Sequence, residues 1–411
     1  MVRVCVVGGG TAGAEAAREA SRGGAEVTLL ERLEEPEPPW QVLPDLVGPA
    51  RGVRPPVLPR RLGESAIATV TGTEVESVDQ GLVCAAGAQI RFDFAIIATG
   101  SGFEPAPFPG QRKEGVVVLD GADRYAELGR RRCRISRAVV RGEGSRALEV
   151  SDRLSAGGVE IRLLVTHWRH GAPSPEVASV LSDAASDQGV SLSQGEFTKA
   201  VGSDALEAVV VSGTVVPCDC LAIVPRRVPR VPPLPVEIGP KGGFVVDRSL
   251  RTSSTSTYAV GGCAELKTGL PPSATLDGEA AISGRIAAAN STGKAMAIGS
   301  FRIGEVVAFG LRWSRAGAGP GLARAAGLEV EVVSRRWGPR NACTLVFESR
   351  SGRVIGVETV EEADSPYAAI PSVLSQAASL KTLAYGCLGS STDISLISDT
   401  ARLGLRLWSR C

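Results

Sequence analysis

Gly8, Gly10 and Gly13 stand in a G-x-G-x-x-G spacing, and Glu31 follows at the end of the next apolar run. Those residue types in that order suit a dinucleotide. The first glycine permits a tight turn, the second lets the backbone approach a pyrophosphate, and the third lets a helix pack closely on a strand. Ala12 belongs to the same turn. Free N–H groups and the positive dipole end at a helix N-terminus favour the pyrophosphate charge, and the Glu31 carboxylate can accept from ribose hydroxyls. The elements that must position these residues are legible on either side. Val2 to Val7 is a short β-branched run that reads as a buried parallel strand, Ala14 to Ala17 opens a helix, and Val27 to Leu30 reads as a second strand. A lone glycine motif is weak, but one set between a strand and a helix, with an acid ending the next strand, is specific.

Further along, Phe92 to Gly100 reads as a buried strand ending in Ala98-Thr99-Gly100, small residues that let the chain pass close to a nucleotide. A second βαβ unit begins at Ala138 to Arg141. Gly142-Glu143-Gly144-Ser145-Arg146-Ala147 fits G-x-G-x-x-A, Glu149 to Ala156 continues as helix, and Val159 to Val165 is the next strand. No acid ends that strand, which runs on through Thr166, His167, Trp168 and Arg169. An arginine there suits a 2′-phosphate and so NADPH. The alternative is a unit that keeps the fold without nucleotide affinity. The candidate contacts of this unit are Gly142, Gly144 and Glu149. Tyr258-Ala259-Val260-Gly261-Gly262-Cys263 follows later, then Pro271 to Thr275 starts an alanine-rich helix, Leu276 to Asn290, whose N-terminus suits an electron-rich ring.

A chain of 411 residues leads to an expectation of two or three domains. A net charge of +1 argues against nucleic acid or an acidic membrane surface as main partner. No apolar run reaches the roughly 18–20 residues of a membrane span, and the N-terminus shows no signal-peptide pattern, so the expected location is cytoplasmic. Nine cysteines with no C-x-x-C read as reduced thiols, and two histidines supply a metal poorly, so no metal site is expected. Cys218 and Cys220 alternate on a probable strand and are expected to share one face as packing residues. Leu33 to Pro59 reads as a loop and Arg226 to Pro235 as a crossover. From Ser300 the pattern changes: strands at Glu305–Leu311, Glu329–Val333, Cys343–Glu348 and Val354–Val360 suggest an antiparallel sheet, with helical patterns at Ala368–Ser379 and Ser395–Leu403.

Three marks together resemble the pyridine nucleotide-disulfide oxidoreductases: the N-terminal fingerprint, Ala98-Thr99-Gly100, and Tyr258-Ala259-Val260-Gly261. Val307 to Leu311 with Ala316-Gly317 and Ala323–Gly327, then Ser351 to Gly356 and Leu383-Ala384-Tyr385, look like the dimerisation domain of the NADH oxidase and coenzyme A disulfide reductase family. The resemblance implies an α/β fold with two Rossmann-like dinucleotide-binding domains and a C-terminal α+β dimerisation domain. It places FAD on residues 1–110 and 236–298, NAD(P)H on 111–235, and the dimer contact on 299–411. The implied FAD contacts are Gly8, Gly10, Ala12, Gly13, Glu31, Ala98, Thr99, Gly100, Gly261, Gly262 and Cys263. A homodimer with a small-molecule electron acceptor is implied, hydride passing from nicotinamide to flavin and onward.

The chain departs from that pattern at three points. Gln41 stands where the family places a redox-active cysteine, which removes a sulfenate or mixed-disulfide route. Gly262 replaces an Asp that bonds the flavin ribityl chain, a loss of about 1.5–3 kcal/mol if nothing substitutes for it; Glu265 is a candidate substitute. The stretch after Leu383-Ala384-Tyr385 contains Cys387, a candidate relocated thiol or simply a small loop residue. No side chain is assigned as an acid–base catalyst. Three functions stay open: a flavin-dependent NAD(P)H oxidoreductase working without a cysteine relay; a non-catalytic paralogue that keeps FAD, or only the fold, as a structural or regulatory subunit; and a flavoprotein with a modifying activity other than NAD(P)H oxidation.

Overall fold

The apolar run at the N-terminus forms the strand Arg3–Val7, with Val4, Cys5 and Val6 almost fully buried. A strand covered on both faces must sit inside a parallel sheet, and it does. In this computed structural model every residue is described except 35–39, 50–66, 80, 105–106, 169–170, 268–278, 299–302, 326, 365–378, 380, 382, 384–391 and 409–411. Among the described residues the α-helices are α1 (Thr11–Arg22), α2 (Ala122–Arg131), α3 (Gly144–Ser155), α4 (Pro175–Ser186), α5 (Ala280–Ser291), α6 (Pro320–Ala325) and α7 (Thr392–Trp408). The chain divides into two compact units, the first made of Met1–Pro39, Val57–Glu104 and Arg227–Arg302, the second of Trp40–Pro56, Pro105–Arg226 and Ile303–Cys411.

In the first unit five parallel strands lie in the order Thr257–Ala259, Phe94–Ile97, Arg3–Val7, Glu26–Leu30, Ile67–Val70. The crossover helix α1 packs on α5, and the two backbones come close: a Cβ at Gly284 would stand 2.1 Å from the Ala12 carbonyl oxygen. Small residues at such a crossing therefore set the helix spacing. Beneath them Leu29, Ile96 and Ile97 are fully buried, each stabilising the fold by about 1.5–3 kcal/mol. Leu82–Ala85 and Ala88–Arg91 pair antiparallel as a hairpin. The crossover expected at 226–235 includes a short strand, Arg227–Pro229, antiparallel to Ser101–Phe103.

The second unit repeats the design. Its parallel sheet runs Val190–Ser193, Glu160–His167, Arg137–Glu143, Cys220–Val224, Val116–Val118. A five-stranded antiparallel sheet in the same unit has the order Ile303–Ala308, Leu311–Gly317, Val354–Glu362, Asn341–Glu348, Val330–Trp337. Two expectations change here. The run Glu305–Leu311 is not one strand but a hairpin turning at Phe309-Gly310, both at positive φ (+57° and +71°). The Phe309 N–H donates to the buried Asp152 carboxylate at 2.9 Å, which fixes a turn that the apolar sequence conceals. Cys218 and Cys220 do not share a face: Cys218 packs with Val216 and Leu221, Cys220 with Ala222 and Val224 on another side. The intervening Asp219 accepts from the Ser136 and Arg137 N–H groups (3.1 and 3.2 Å), and the regular strand begins only at Cys220. The helical pattern expected at 368–379 lies outside the described residues; the one expected at 395–403 falls within α7.

Candidate cofactor-binding site

Three separated stretches meet at the C-terminal edge of the first parallel sheet. Gly8 has φ +104°, and a Cβ there would lie 2.4 Å from the Ala98 carbonyl oxygen. A Cβ at Gly13 would lie 1.8 Å from the Gly8 carbonyl oxygen and 3.2 Å from the Ala98 Cβ. Gly261 has φ +65°, and its Cβ position is 3.0 Å from the Ala12 Cβ. Backbone against backbone dictates Gly8 and Gly13, while the positive φ and the Ala12 Cβ dictate Gly261. Gly10 is the N-cap of α1 and no side chain caps that helix. Its first-turn N–H groups, those of Thr11, Ala12 and Gly13, are the ones a helix leaves without an intrahelical partner. Glu31 lies just beyond Glu26–Leu30, and its carboxylate accepts from the Gly9 N–H at 2.6 Å and the Leu33 N–H at 3.0 Å.

The Ala98-Thr99-Gly100 turn is fastened by the crossover. The Thr99 hydroxyl donates to the Arg230 carbonyl at 2.5 Å, and the Arg230 N–H donates to the Gly100 carbonyl at 2.9 Å. Gly261, Gly262 and Cys263 form one 3₁₀ turn, all three buried. The Gly261 N–H donates to Ser283 of α5 at 3.1 Å, and the Ser101 hydroxyl donates to the Gly262 carbonyl at 3.3 Å. Ser101, Arg230 and Ser283 escaped the sequence reading, because single polar residues give no local signal.

A family model for the pyridine nucleotide-disulphide oxidoreductases matches residues 2–287. The chain belongs to that family. Members of the family are FAD-dependent NAD(P)H oxidoreductases. Rhodocoxin reductase from Rhodococcus erythropolis is 27% identical over 282 residues, 64% of this chain and 64% of that protein. The chain spans less of some other curated relatives, 19% of the nitrite reductase large subunit of Klebsiella oxytoca. A NAD-dependent persulfide reductase from A. fulgidus superposes with a TM-score of 0.82 at 23% identity, over 98% of this chain and 83% of that one. The water-forming NADH oxidase of Lactobacillus brevis gives 0.82 at 16% identity, over 100% and 99%. At those identities the likeness is one of fold.

The first loop of this chain fits the family's FAD. The uncapped α1 N-terminus suits a pyrophosphate, and close contacts explain why Gly8 and Gly13 are bare of side chains. Glu265 does not stand in for the missing Asp at 262. Its carboxylate accepts from the Gly243 N–H at 2.6 Å and lies against Gly239, on a turn of its own. Cys263 is fully buried, its thiol 3.4 Å from the Ile97 carbonyl, and burial pushes its pKa up. Burial likewise pushes Cys5, Cys218, Cys220 and Cys343 up to about 12, so none of these is a thiolate near neutral pH. Gln41 belongs to a 3₁₀ helix, Trp40–Leu46. Cys387, Arg169 and Pro271 to Thr275 lie outside the described residues. No group of three or more metal-ligating side chains occurs among the described residues, and no helix there is long and apolar enough to cross a membrane.

The second loop is built alike and filled differently. Gly142 has φ +149°, and a Cβ there would lie 2.0 Å from the Val224 carbonyl oxygen, as Gly8 does on Ala98. Glu143 is the N-cap of α3, and its carboxylate accepts from the Ser145 and Arg146 N–H groups at 3.2 and 3.0 Å. Gly144 is covered: a Cβ there would lie 2.2 Å from the Trp168 ring. Glu149 is buried and paired with Arg146 at 2.6 Å. The groups that would meet a second pyrophosphate are thus already bonded or covered, and NAD(P)H does not fit this loop in the conformation seen.

Proposed function

We propose that this chain is an FAD-dependent NAD(P)H oxidoreductase that delivers electrons to dioxygen, a quinone or another small acceptor without a cysteine relay. The observation that supports it most is the meeting of Gly8, Gly13, Ala98 and Gly261 around an uncapped helix N-terminus. Bound FAD supplies the two-electron chemistry. The chain's own residues bind and orient it. The first-turn N–H groups of α1 hold the pyrophosphate, Glu31 turns from Gly9 to the ribose hydroxyls, and Thr99 and Gly100 line the turn fastened by Arg230. Ser101, bonded to the Gly262 carbonyl, is a neutral hydrogen-bonding group beside the position of the missing Asp. The buried thiols support a route without cysteine, their pKa values being raised by desolvation.

We assign FAD to residues 1–110 and 236–298, NAD(P)H to 111–235, and a homodimer contact to 299–411, in a cytoplasmic protein. The non-catalytic reading is favoured by one observation, the self-bonded second loop. The visible spectrum of the protein after incubation with FAD and gel filtration separates a flavoprotein from a fold-only paralogue. Retained flavin bands support the proposal, and a colourless protein rejects it. Light scattering tests the dimer, which a monomer at micromolar concentration would rule out.

A further inference from the structure

A dinucleotide loop receives a pyrophosphate through two features, the free N–H groups of the helix N-terminus and the bare face of the second glycine. In the second unit both are in use. The Glu143 carboxylate accepts from Ser145 and Arg146, the second and third N–H groups of α3. The Trp168 ring lies on the open face of Gly144. Glu143 is an anion lying where a second anion is to bind, so a pyrophosphate meets like charge as well as spent donors. Trp168 is not a loose cover. Its ring meets Trp313 edge to face at 5.5 Å, and the Trp313 indole N–H donates to Glu358 at 2.8 Å. Arg315 donates to the Gly171 and Ala172 carbonyls at 2.9 and 2.6 Å, fastening the segment just beyond Trp168 to the same strand.

The backbone beneath is that of an intact dinucleotide loop. Gly142 keeps its positive φ and its close approach to Val224, and Arg137–Glu143 keeps its parallel neighbours on both sides. We infer that Glu143 and Trp168 are internal competitors for the NAD(P)H pyrophosphate, and that they, not a decayed fold, set this chain's affinity for the nucleotide. Glu143 competes through its charge and its two accepted hydrogen bonds; Trp168 competes by volume. NAD(P)H binds only as Glu143 leaves the α3 N-terminus and the ring leaves Gly144. The inference rests on the proposed use of NAD(P)H, but it concerns equilibrium binding alone.

The test is isothermal titration calorimetry of NADH, and separately NADPH, into the FAD-reconstituted full chain under conditions without turnover. Wild type is compared with Glu143→Gly, Glu143→Gln and Trp168→Ala. Retained flavin and an unchanged far-ultraviolet spectrum report that each variant is folded. Glu143→Gln guards against loss of the cap, since it keeps the length and an acceptor oxygen while removing the charge. Removing a like charge and freeing two helix N–H groups is expected to tighten binding at least about tenfold in Glu143→Gly, with Glu143→Gln between it and wild type. Trp168→Ala is expected to tighten binding as well. Equal dissociation constants in all four proteins overturn the inference and leave the NAD(P)H reading standing. No binding in any of them overturns both.

Discussion

The two βαβ units share a backbone and differ in where they put a carboxylate. In the first, the strand Arg3–Val7 is held at its start by Asp93, which accepts from the Arg3 N–H at 2.8 Å. In the second, Arg137–Glu143 is held at its start by Asp219, which accepts from the Arg137 N–H at 3.2 Å. Both acids immediately precede the neighbouring parallel strand, and each loop opens with a positive-φ glycine pressed on a carbonyl of that neighbour's end. The difference comes next. Glu31 reaches Gly9 from the end of the second strand and leaves α1 uncapped. Glu143 sits inside the loop and caps α3. A carboxylate at the ribose end assists a dinucleotide, and one at the pyrophosphate end competes with it. The fold is thus a poor guide to ligand occupancy, because one side chain reverses the electrostatics of an unchanged backbone.

The helices are also fastened by different means, which offers the largest expected effect. α3 is pinned by charge: Asp152 and Arg153 are fully buried and paired, Asp152 accepts from Phe309, and Arg153 reaches Asp45 at 3.2 Å. Asp152→Ala is expected to lower stability by about 3–5 kcal/mol, because it leaves the buried Arg153 guanidinium with the half-buried Asp45 as its one carboxylate partner among the described residues and orphans the Phe309 N–H; urea unfolding measures it, and a loss below about 1 kcal/mol would show that the second unit does not depend on this pair. α1 is pinned chiefly by close packing, with the Glu15 carboxylate on Arg285 of α5 at 2.7 Å beside it. Gly13→Ala is expected to cost about 1–3 kcal/mol or to prevent flavin retention, since the new Cβ meets the Gly8 carbonyl. Ala147, the matching residue of the second loop, is already an alanine and fully buried. Ala147→Gly should cost about 1 kcal/mol with no effect on flavin content. Equal penalties at the two sites would erase the contrast.

A smaller effect has crossed signs. Glu143→Ala removes the cap of α3 and is expected to lower stability by about 1 kcal/mol, while NAD(P)H binding improves. Thermal unfolding and calorimetry on the same sample check both directions. The smallest effect concerns the strand starts. The hydrogen bonds from the Arg3 side chain, then from its backbone N–H, hold Asp93 down to about 2. A depressed carboxylate contributes stability above its unfolded value of about 3.9, and that contribution fades as pH falls toward about 2. Both side chains are largely exposed, so the pair is screened and the effect is slight. Carboxyl NMR should place the Asp93 midpoint near that value in wild type, and Arg3→Ala should return it toward the ordinary carboxylate range. An unmoved midpoint would remove Arg3 as the cause.

Much of the first site is legible before folding because it is contiguous. A strand, a glycine turn, a helix and an acid follow one another within Val2 to Glu31, and each residue type answers a local backbone demand. The Ala98-Thr99-Gly100 turn and Gly261 are legible as motifs, but their fastenings are not. Ser101 meets Gly262, and Arg230 meets Gly100, across separations that leave no periodic trace. The hairpin at Phe309-Gly310 is hidden for a related reason: a buried Phe at positive φ is stabilised by Asp152, remote in sequence. Glu143 was in plain view within G-x-G-x-x-A, yet its spacing gives no hint that its side chain turns forward onto α3. The one available signal was its charge, an acid inside a loop meant for an anion.

The most direct test of the contrast between the loops is a crystal structure of the chain reconstituted with FAD. The account predicts the pyrophosphate over the N-terminus of α1, Glu31 on the adenosine ribose, and Glu143 still bonded to Ser145 and Arg146. A pyrophosphate bound at α3, with the N-terminus of α1 left bare, would contradict it.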